Sequence, residues 1–169
     1  FSGIGGPQMI KAGMYPLFPM DHLSVMGIME VVPRLPKLMS IRQQMRHYLE
    51  ALQPRALVTC DAPDFNLSLC AFAKSLGVPA IHVVSPSVWA WRQSRIPKIA
   101  RQVDLLLCVF PFEPALYKGT GLRCEFIGHP LTTQISFNPD PAVSAAALNL
   151  PVNGLILGML PGSRESEVK

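Results

Sequence analysis

The sequence predicts an α/β fold with a Rossmann-like parallel sheet. Short apolar runs alternate with helical patterns along most of the chain, the signature of repeated βα units. The runs are continuously apolar rather than alternating, as expected of strands covered by helices on both faces. Their spacing leaves room for a helix between successive strands, which a parallel crossover requires.

Each element follows in order. Leu38, Ile41, Met45, Tyr48, Leu49 and Leu52 recur with the 3.6-residue period, with Arg42, Gln43, Arg46, Glu50 and Gln53 between them. That pattern is a core-facing amphipathic helix. The stretch before it differs. Val25, Met26, Ile28, Met29, Val31, Val32 and Leu35 are apolar nearly all round, and Pro33 and Pro36 are expected to break the segment. Ala56–Cys60 reads as a strand, and Phe65–Leu76 as a helix stopped by Gly77 and Pro79. Ala80–Val84 is a second strand, Arg92–Arg101 a basic helix and Asp104–Phe110 a third strand. Glu113–Lys118 is a short helix, Cys124–Ile127 a fourth strand and Ala142–Leu148 a further helix. Leu155–Leu160 is expected to be a strand. Asn138 to Pro151 carries Pro139, Pro141 and Pro151, and reads as a boundary. The expected division is a Rossmann-like domain over 1–138, a linker region over 139–154, and the start of a second domain over 155–169.

Composition bounds the class. Of 169 residues, 49% are apolar and 15% charged, against about 25% charged in an average globular domain. No apolar run approaches the roughly 20 residues of a spanning helix. The net charge of +4, from 15 basic and 11 acidic residues, suits phosphates or acidic lipids and is too mild to point to nucleic acid. Cys60, Cys70, Cys108 and Cys124 form no C-x-x-C pair, and each sits in an apolar stretch. They are expected to be buried free thiols rather than a zinc site. The chain begins with Phe1, has no signal-peptide pattern, and reads as an internal piece of a longer protein.

Ligands of open parallel sheets bind at the carboxyl ends of the strands, so the residues after each strand are the candidates. After the first come Asp61-Ala62-Pro63-Asp64. Asp61 suits a general base for a sugar hydroxyl, or else a loop or capping residue. Asp64 suits the helix dipole. After the second come Ser85, Trp89, Trp91 and Arg92. Indole faces stack on sugars or bases, and Arg92 suits a phosphate; the indoles could equally cap the core. Arg92, Arg95, Lys98 and Arg101 make a basic ridge, read either as a solvated face or as a phosphate-attracting rim. His129 follows the fourth strand and is either held by backbone or open to substrate. After the last strand, Gly162, Ser163 and Arg164 open a helix whose N–H groups suit an anion.

Read together, these segments resemble the lipid-A-disaccharide synthases. The resemblance rests on GIGGPQM at 3–9, LFPMDHLSVMGIMEVVPRLPKL at 17–38, DAPDFNL at 61–67, HVVSPSVWAWR at 82–92, FPFEPALY at 110–117, FIGHPL at 126–131 and LPGSRESE at 160–167. It implies the N-terminal domain of a two-domain GT-B glycosyltransferase, with residues 155–169 opening the UDP-sugar-binding domain. It implies transfer of diacylglucosamine from its UDP donor to diacylglucosamine phosphate, with no metal and no cofactor. By the resemblance Asp61 is the catalytic residue. Ser85, Trp89, Trp91, Arg92, His129, Gly162, Ser163, Arg164 and Glu167 are substrate-binding. The family's peripheral membrane habit implies a cytoplasmic enzyme at the inner membrane. Met29, Val31, Val32, Arg34, Leu35, Lys37, Leu38 and Met39 would then dock on anionic lipid, the alternative being a core helix. Thr132-Thr133 stands where the family often has a small residue and an aspartate, and Val83 where tyrosine is common. Another GT-B enzyme such as a sugar-nucleotide epimerase, or a non-catalytic Rossmann-like binding module, are the other readings.

Overall fold

The computed structural model describes residues 1–20, 28–151 and 154–162, and of residues 28–34 the backbone alone. It falls into two compact units, Phe1–His129 and Pro130–Lys169. The first opens with β1 (Ser2–Gly3), α1 (Pro7–Lys11) and β2 (Tyr15–Pro16), where β1 and β2 pair in parallel. A long α2 (Ile28–Leu52) follows. Then come β3 (Leu57–Cys60), α3 (Pro63–Ser75), β4 (Ala80–Val83), α4 (Ile96–Gln102), β5 (Leu105–Cys108), α5 (Glu113–Leu116) and β6 (Arg123–Phe126). The four strands pair in parallel in sequence order, β3-β4-β5-β6, as successive βα units predict.

The strands owe their place to one packed face. Leu67 and Cys70 of α3, Ile99 of α4 and Tyr117 after α5 enclose Ala80, Leu106 and Cys108. On the back of α3, Ile41 and Met45 of α2 pack with Leu69, and Leu49 packs with Ala73 and Val78. Ile41, Met45 and Leu49 lie at four-residue spacing, so the amphipathic reading of α2 holds for this stripe, whereas Leu52, at the helix end and past the last residue α3 covers, is exposed. Burying each such side chain contributes about 1.5–3 kcal/mol.

Five expectations are corrected. Pro33 and Pro36 do not break the helix, which runs through both from Ile28 to Leu52. Each proline removes one backbone donor, yet the backbone stays helical across both. The sheet is not covered equally on its two faces. Along β4 and β5 buried and half-buried residues alternate, and on edge strand β3 Val58 is 59% exposed. The reason is that α3, α4 and the end of α5 contribute to one and the same core cluster. Cys60 shares that outer face and is exposed, so the thiols are not all buried. The basic helix is split into a 3-10 turn, Gln93–Arg95, and α4, with Pro97 in the first turn of α4. Leu155–Leu160 forms no strand, because a strand exists only through a ladder and no second extended segment among the described residues of its unit pairs with it.

In that second unit a 3-10 turn, Pro130–Thr133, precedes α6 (Pro141–Ala147). Asp140 caps α6 by accepting from the Ala142 and Val143 amides at 2.8 and 3.4 Å, the usual satisfaction of orphan N–H groups. The helix therefore lies inside the stretch expected to be linker.

One ion pair ties α3 to the sheet. Lys74 Nζ donates to Asp104 Oδ1 at 2.8 Å and to the Val103 carbonyl at 3.0 Å, and the Ala80 amide donates to Asp104 Oδ2 at 2.8 Å. Burial pushes the Asp104 carboxyl up, but the hydrogen bonds from Lys74 and Ala80 and the lysine's charge together hold it below the usual carboxylate value. A carboxyl with a depressed folded value stabilises above its unfolded value and loses that contribution as pH falls through the folded one. Asp104→Asn should therefore be less stable than the parent at pH 7. Urea unfolding should show the difference closing below about pH 4; a difference that persists there would assign it to packing.

Candidate active site at the carboxyl edge

The strand ends are joined one residue past the sheet. Asp61 N donates to the Val83 carbonyl at 2.9 Å, Val84 N to Leu107 at 2.9 Å, and Ile127 N to Cys108 at 3.0 Å. Asp61, Ser85, Phe110 and His129 thus follow neighbouring strands in sheet order. Asp61 is exposed, with its backbone turned into the left-handed region at φ 52°, and Ala62 follows at φ 42°. Asn66 on the first turn of α3 locks this corner by donating to the Cys60 and Asp61 carbonyls at 3.2 and 2.8 Å. The strand thus stops abruptly and leaves the Asp61 carboxylate at its tip. Val84 lies at φ 71°, a rare conformation for a β-branched residue.

Ser85 is 4% exposed, and its hydroxyl meets the Tyr117 hydroxyl at 3.1 Å. Burial, more than the neighbouring Cys108, Cys124 and Glu113, pushes the Tyr117 phenol up to about 12 despite the Ser85 contact. In this structure Ser85 anchors the loop instead of facing outward. Trp89 and Trp91 are 45% and 59% exposed, so neither caps the core. Arg92, at φ 60°, lays its guanidinium over the Trp91 ring at 4.2 Å. Arg95 donates to Asp64 at 2.9 Å, tying the tryptophan loop to the start of α3. Arg95 is thus drawn off the basic ridge, while Lys98 and Arg101 stay exposed.

Two aromatic residues completing this surface were not singled out from the sequence. Phe112 meets Trp89 edge-on at 5.6 Å and stacks on Phe110 at 5.7 Å, and Phe110 lies 6.2 Å from the half-buried His129 ring. Both phenylalanines are more than 40% exposed. The available signal was their position after an apolar strand, in the FPFE run at 110–113. Glu113 holds them: it is 1% exposed and its Oε2 accepts from the Val109 and Phe110 amides at 3.2 and 3.0 Å.

Beneath the edge, His82 is fully buried, and its Nδ1 lies 2.7 Å from Thr59 Oγ1. Burial pushes its imidazole down to about 4, against a smaller upward pull from the Asp61 carboxylate. It is therefore neutral at pH 7. On the N-terminal side, Ile4, Leu17 and Phe18 pack into the cluster that includes Phe65. A mostly apolar cavity of about 470 Å³ lies there, lined by Gly5, Gly6, Ile10, Leu17, Phe18 and Met20 among others.

Of the remaining predicted residues, Gly162 is exposed at φ 105° in the second unit. Ser163, Arg164 and Glu167 lie outside the described residues, as do the side chains of Met29, Val31, Val32 and Arg34. Leu35 and Met39 are 43% and 58% exposed, Lys37 is exposed and Leu38 half-buried.

The Thr59–His82 contact yields a test. Thr59→Val keeps the shape but leaves Nδ1 buried without a partner, which should cost about 1–3 kcal/mol. Thr59→Ser should recover most of it. Denaturant unfolding of both variants checks the pair, and equal losses would assign Thr59 to methyl packing.

The lipid-A-disaccharide synthetase family profile matches residues 1–169. A lipid-A-disaccharide synthase of Cellvibrio japonicus is 47% identical over the whole chain, which covers 44% of that protein's length. One from Methylobacillus flagellatus is 44% identical over the whole chain and 45% of its own length. One from Anaeromyxobacter sp. strain K is 45% identical over 99% of the chain and 43% of its own length. The chain thus spans less than half the length of these curated relatives. With its parallel α/β sheet and a match from the first residue to the last, the chain belongs to the lipid-A-disaccharide synthetase family.

Proposed function

We propose that this chain is the acceptor-side part of a GT-B glycosyltransferase, which transfers diacylglucosamine from UDP to diacylglucosamine phosphate and forms the lipid A disaccharide. The observation that carries the reading is the Asp61 corner, where bonds to Val83 and Asn66 fix the backbone of a residue that is exposed at a strand's carboxyl end. Asp61 takes the proton of the acceptor hydroxyl as that oxygen attacks the anomeric carbon and UDP departs. Glycosyl transfer changes no oxidation state, and the family resemblance implies no metal and no cofactor, the UDP-linked sugar being a substrate. Trp89, Trp91, Phe110 and Phe112 offer ring faces and edges to the sugar, with Arg92 and His129 at the rim. The apolar cavity beside Phe18 has the volume of a small-molecule pocket, about 300–1,000 Å³, and suits part of an acyl chain.

Residues 155–169 open the UDP-sugar-binding half in this reading. Gly162, Ser163, Arg164 and Glu167 there meet the donor's phosphates, Arg164 as a charge-assisted fork. Acylated substrates suit an enzyme docked on a lipid surface, in this reading the cytoplasmic face of the inner membrane. No described helix is long and apolar enough to cross a membrane, and exposed Leu35, Met39 and Lys37 on α2 suit a helix lying in the lipid interface.

Two measurements test this. In the full-length enzyme Asp61→Asn should lower kcat about 100-fold or more with an unchanged melting temperature; turnover within a few-fold of the parent would remove Asp61 from the mechanism. Leu35→Ser combined with Met39→Ser should leave the fold intact and weaken flotation with anionic phosphatidylglycerol vesicles. Unchanged flotation would end the docking role of α2.

A further inference from the structure

Glu113 is a buried acidic side chain with no cation beside it: no ion pair reaches it among the described residues. Burying a carboxyl group is costly unless hydrogen bonds offset it. Here they fall on the loop after β5, and they run both ways. Oε2 accepts from the Val109 and Phe110 amides at 3.2 and 3.0 Å, and the Glu113 amide donates to the Phe110 carbonyl at 3.2 Å. One residue thus holds Phe110 at both its N–H and its C=O. Pro111 and Pro114 flank Phe112 and Glu113 and fix two further φ angles.

What this clamp holds is not core. A clamp serving the core alone would turn its phenylalanines inward, yet Phe110 and Phe112 both stand exposed. Their rings lie 5.7 Å apart and within 10° of parallel. Trp89, from the loop after β4, closes on Phe112 at 87°. His129, from the loop after β6, meets Phe110 at 42°. The pair is therefore clamped from below by its own loop and braced from the loops on either side. Exposed rings held parallel at the ligand edge of a parallel sheet suit the C–H face of a sugar ring.

We propose that Glu113 is a positioning residue for acceptor binding, its clamp on Phe110 setting the Phe110–Phe112 pair as the platform on which the acceptor's glucosamine ring rests. The inference rests on the reading of this edge as the acceptor side of a glycosyltransferase. Glu113 does not touch the sugar and acts through the backbone of Phe110. The platform follows β5 and Asp61 follows β3, with the tryptophan loop of β4 between them. Disturbing the platform should therefore weaken binding while the group that takes the proton stays in place.

The test uses the full-length enzyme with diacylglucosamine phosphate as acceptor. Glu113→Leu fills the space and accepts no hydrogen bond, whereas Glu113→Gln keeps an acceptor oxygen in place. In Glu113→Leu the acceptor KM should rise about five- to tenfold, the size of a lost aromatic contact, with kcat within about twofold of the parent. In Glu113→Gln the KM should stay within about twofold of the parent. A folded Glu113→Leu enzyme with the parent's KM overturns the proposal, and so does a Glu113→Gln enzyme as impaired as Glu113→Leu. Should Glu113→Leu not fold, Phe112→Leu decides: its exposed ring can be removed without loss of melting temperature, and an unchanged acceptor KM overturns the proposal. A second readout is independent of turnover. Trp89, labelled as fluorotryptophan and assigned through Trp89→Phe, feels the Phe112 ring at 5.6 Å. Its fluorine resonance should move in Glu113→Leu and stay in place in Glu113→Gln. An unmoved resonance in Glu113→Leu also overturns the proposal. If the parent enzyme does not use this acceptor while the resonance moves as expected, the acceptor reading fails and the clamp on the rings stands.

Discussion

The carboxyl edge depends on hydrogen bonds that carry the parallel ladder one residue past the strands. Asp61 N to Val83 O, Val84 N to Leu107 O and Ile127 N to Cys108 O make neighbouring loops leave the sheet at one level. Parallel ladders accept such extensions because their bonds are evenly spaced. The loops then diverge while their first residues stay fixed. A carboxylate on one, an aromatic pair on another and a histidine on the last share one edge because backbone bonds hold their roots, and no side-chain contact among them is needed.

That arrangement is reached through strained backbone. Asp61, Ala62, Val84 and Arg92 all have positive φ, and each left-handed residue with a Cβ costs roughly 1–2 kcal/mol. The strain is concentrated on the loops after β3 and β4, while α6 and the helix ends at Gly77 and Gly119 use conventional means. Compensation is local. Asn66 closes the Asp61 corner, Ser85 pairs with Tyr117 below Val84, and Glu113 receives the two amides after β5. A buried glutamate whose oxygen accepts two backbone amides is a costly way to end a strand unless the loop it shapes has a use.

Most of the sheet could be read from sequence because its signal is local. Four apolar runs separated by helix-length intervals define β3 to β6 within one or two residues. Reading failed where the outcome was not local. Pro33 and Pro36 carry a helix-breaking signal, yet the helix runs through both. Leu155–Leu160 has a strand's composition and no ladder partner among the described residues. The outer face of β3 is apolar in sequence, yet it stays exposed because the covering helices lie on the other side. At the site, Asp61 and the tryptophans stood out by residue type and strand-end position. His82 did not, since a histidine inside an apolar strand gives no hint that one ring nitrogen finds no partner among the described residues. Phe110 and Phe112 carry no such signal, because a phenylalanine after an apolar strand shows its exposure only in the fold.

The exposed aromatic group also bears on how such a surface would bind. Trp89, Phe112, Phe110 and His129 form a chain of ring contacts between 5.6 and 6.2 Å. Arg92 is spread over Trp91 at 4.2 Å. Rings braced against one another have little rotamer freedom left to lose, so a ligand laid on them bears less of the ordering cost that binding usually carries. Trp89 and Phe112 meet edge to face, the arrangement the ring quadrupoles favour, so they hold their relative orientation without a ligand. The guanidinium over Trp91 is restrained in the same way while its N–H groups remain able to meet an anion. Apolar faces backed by a restrained cation suit a ligand that is part apolar and part anionic, and polar loops of the same length would have to be ordered by the ligand itself.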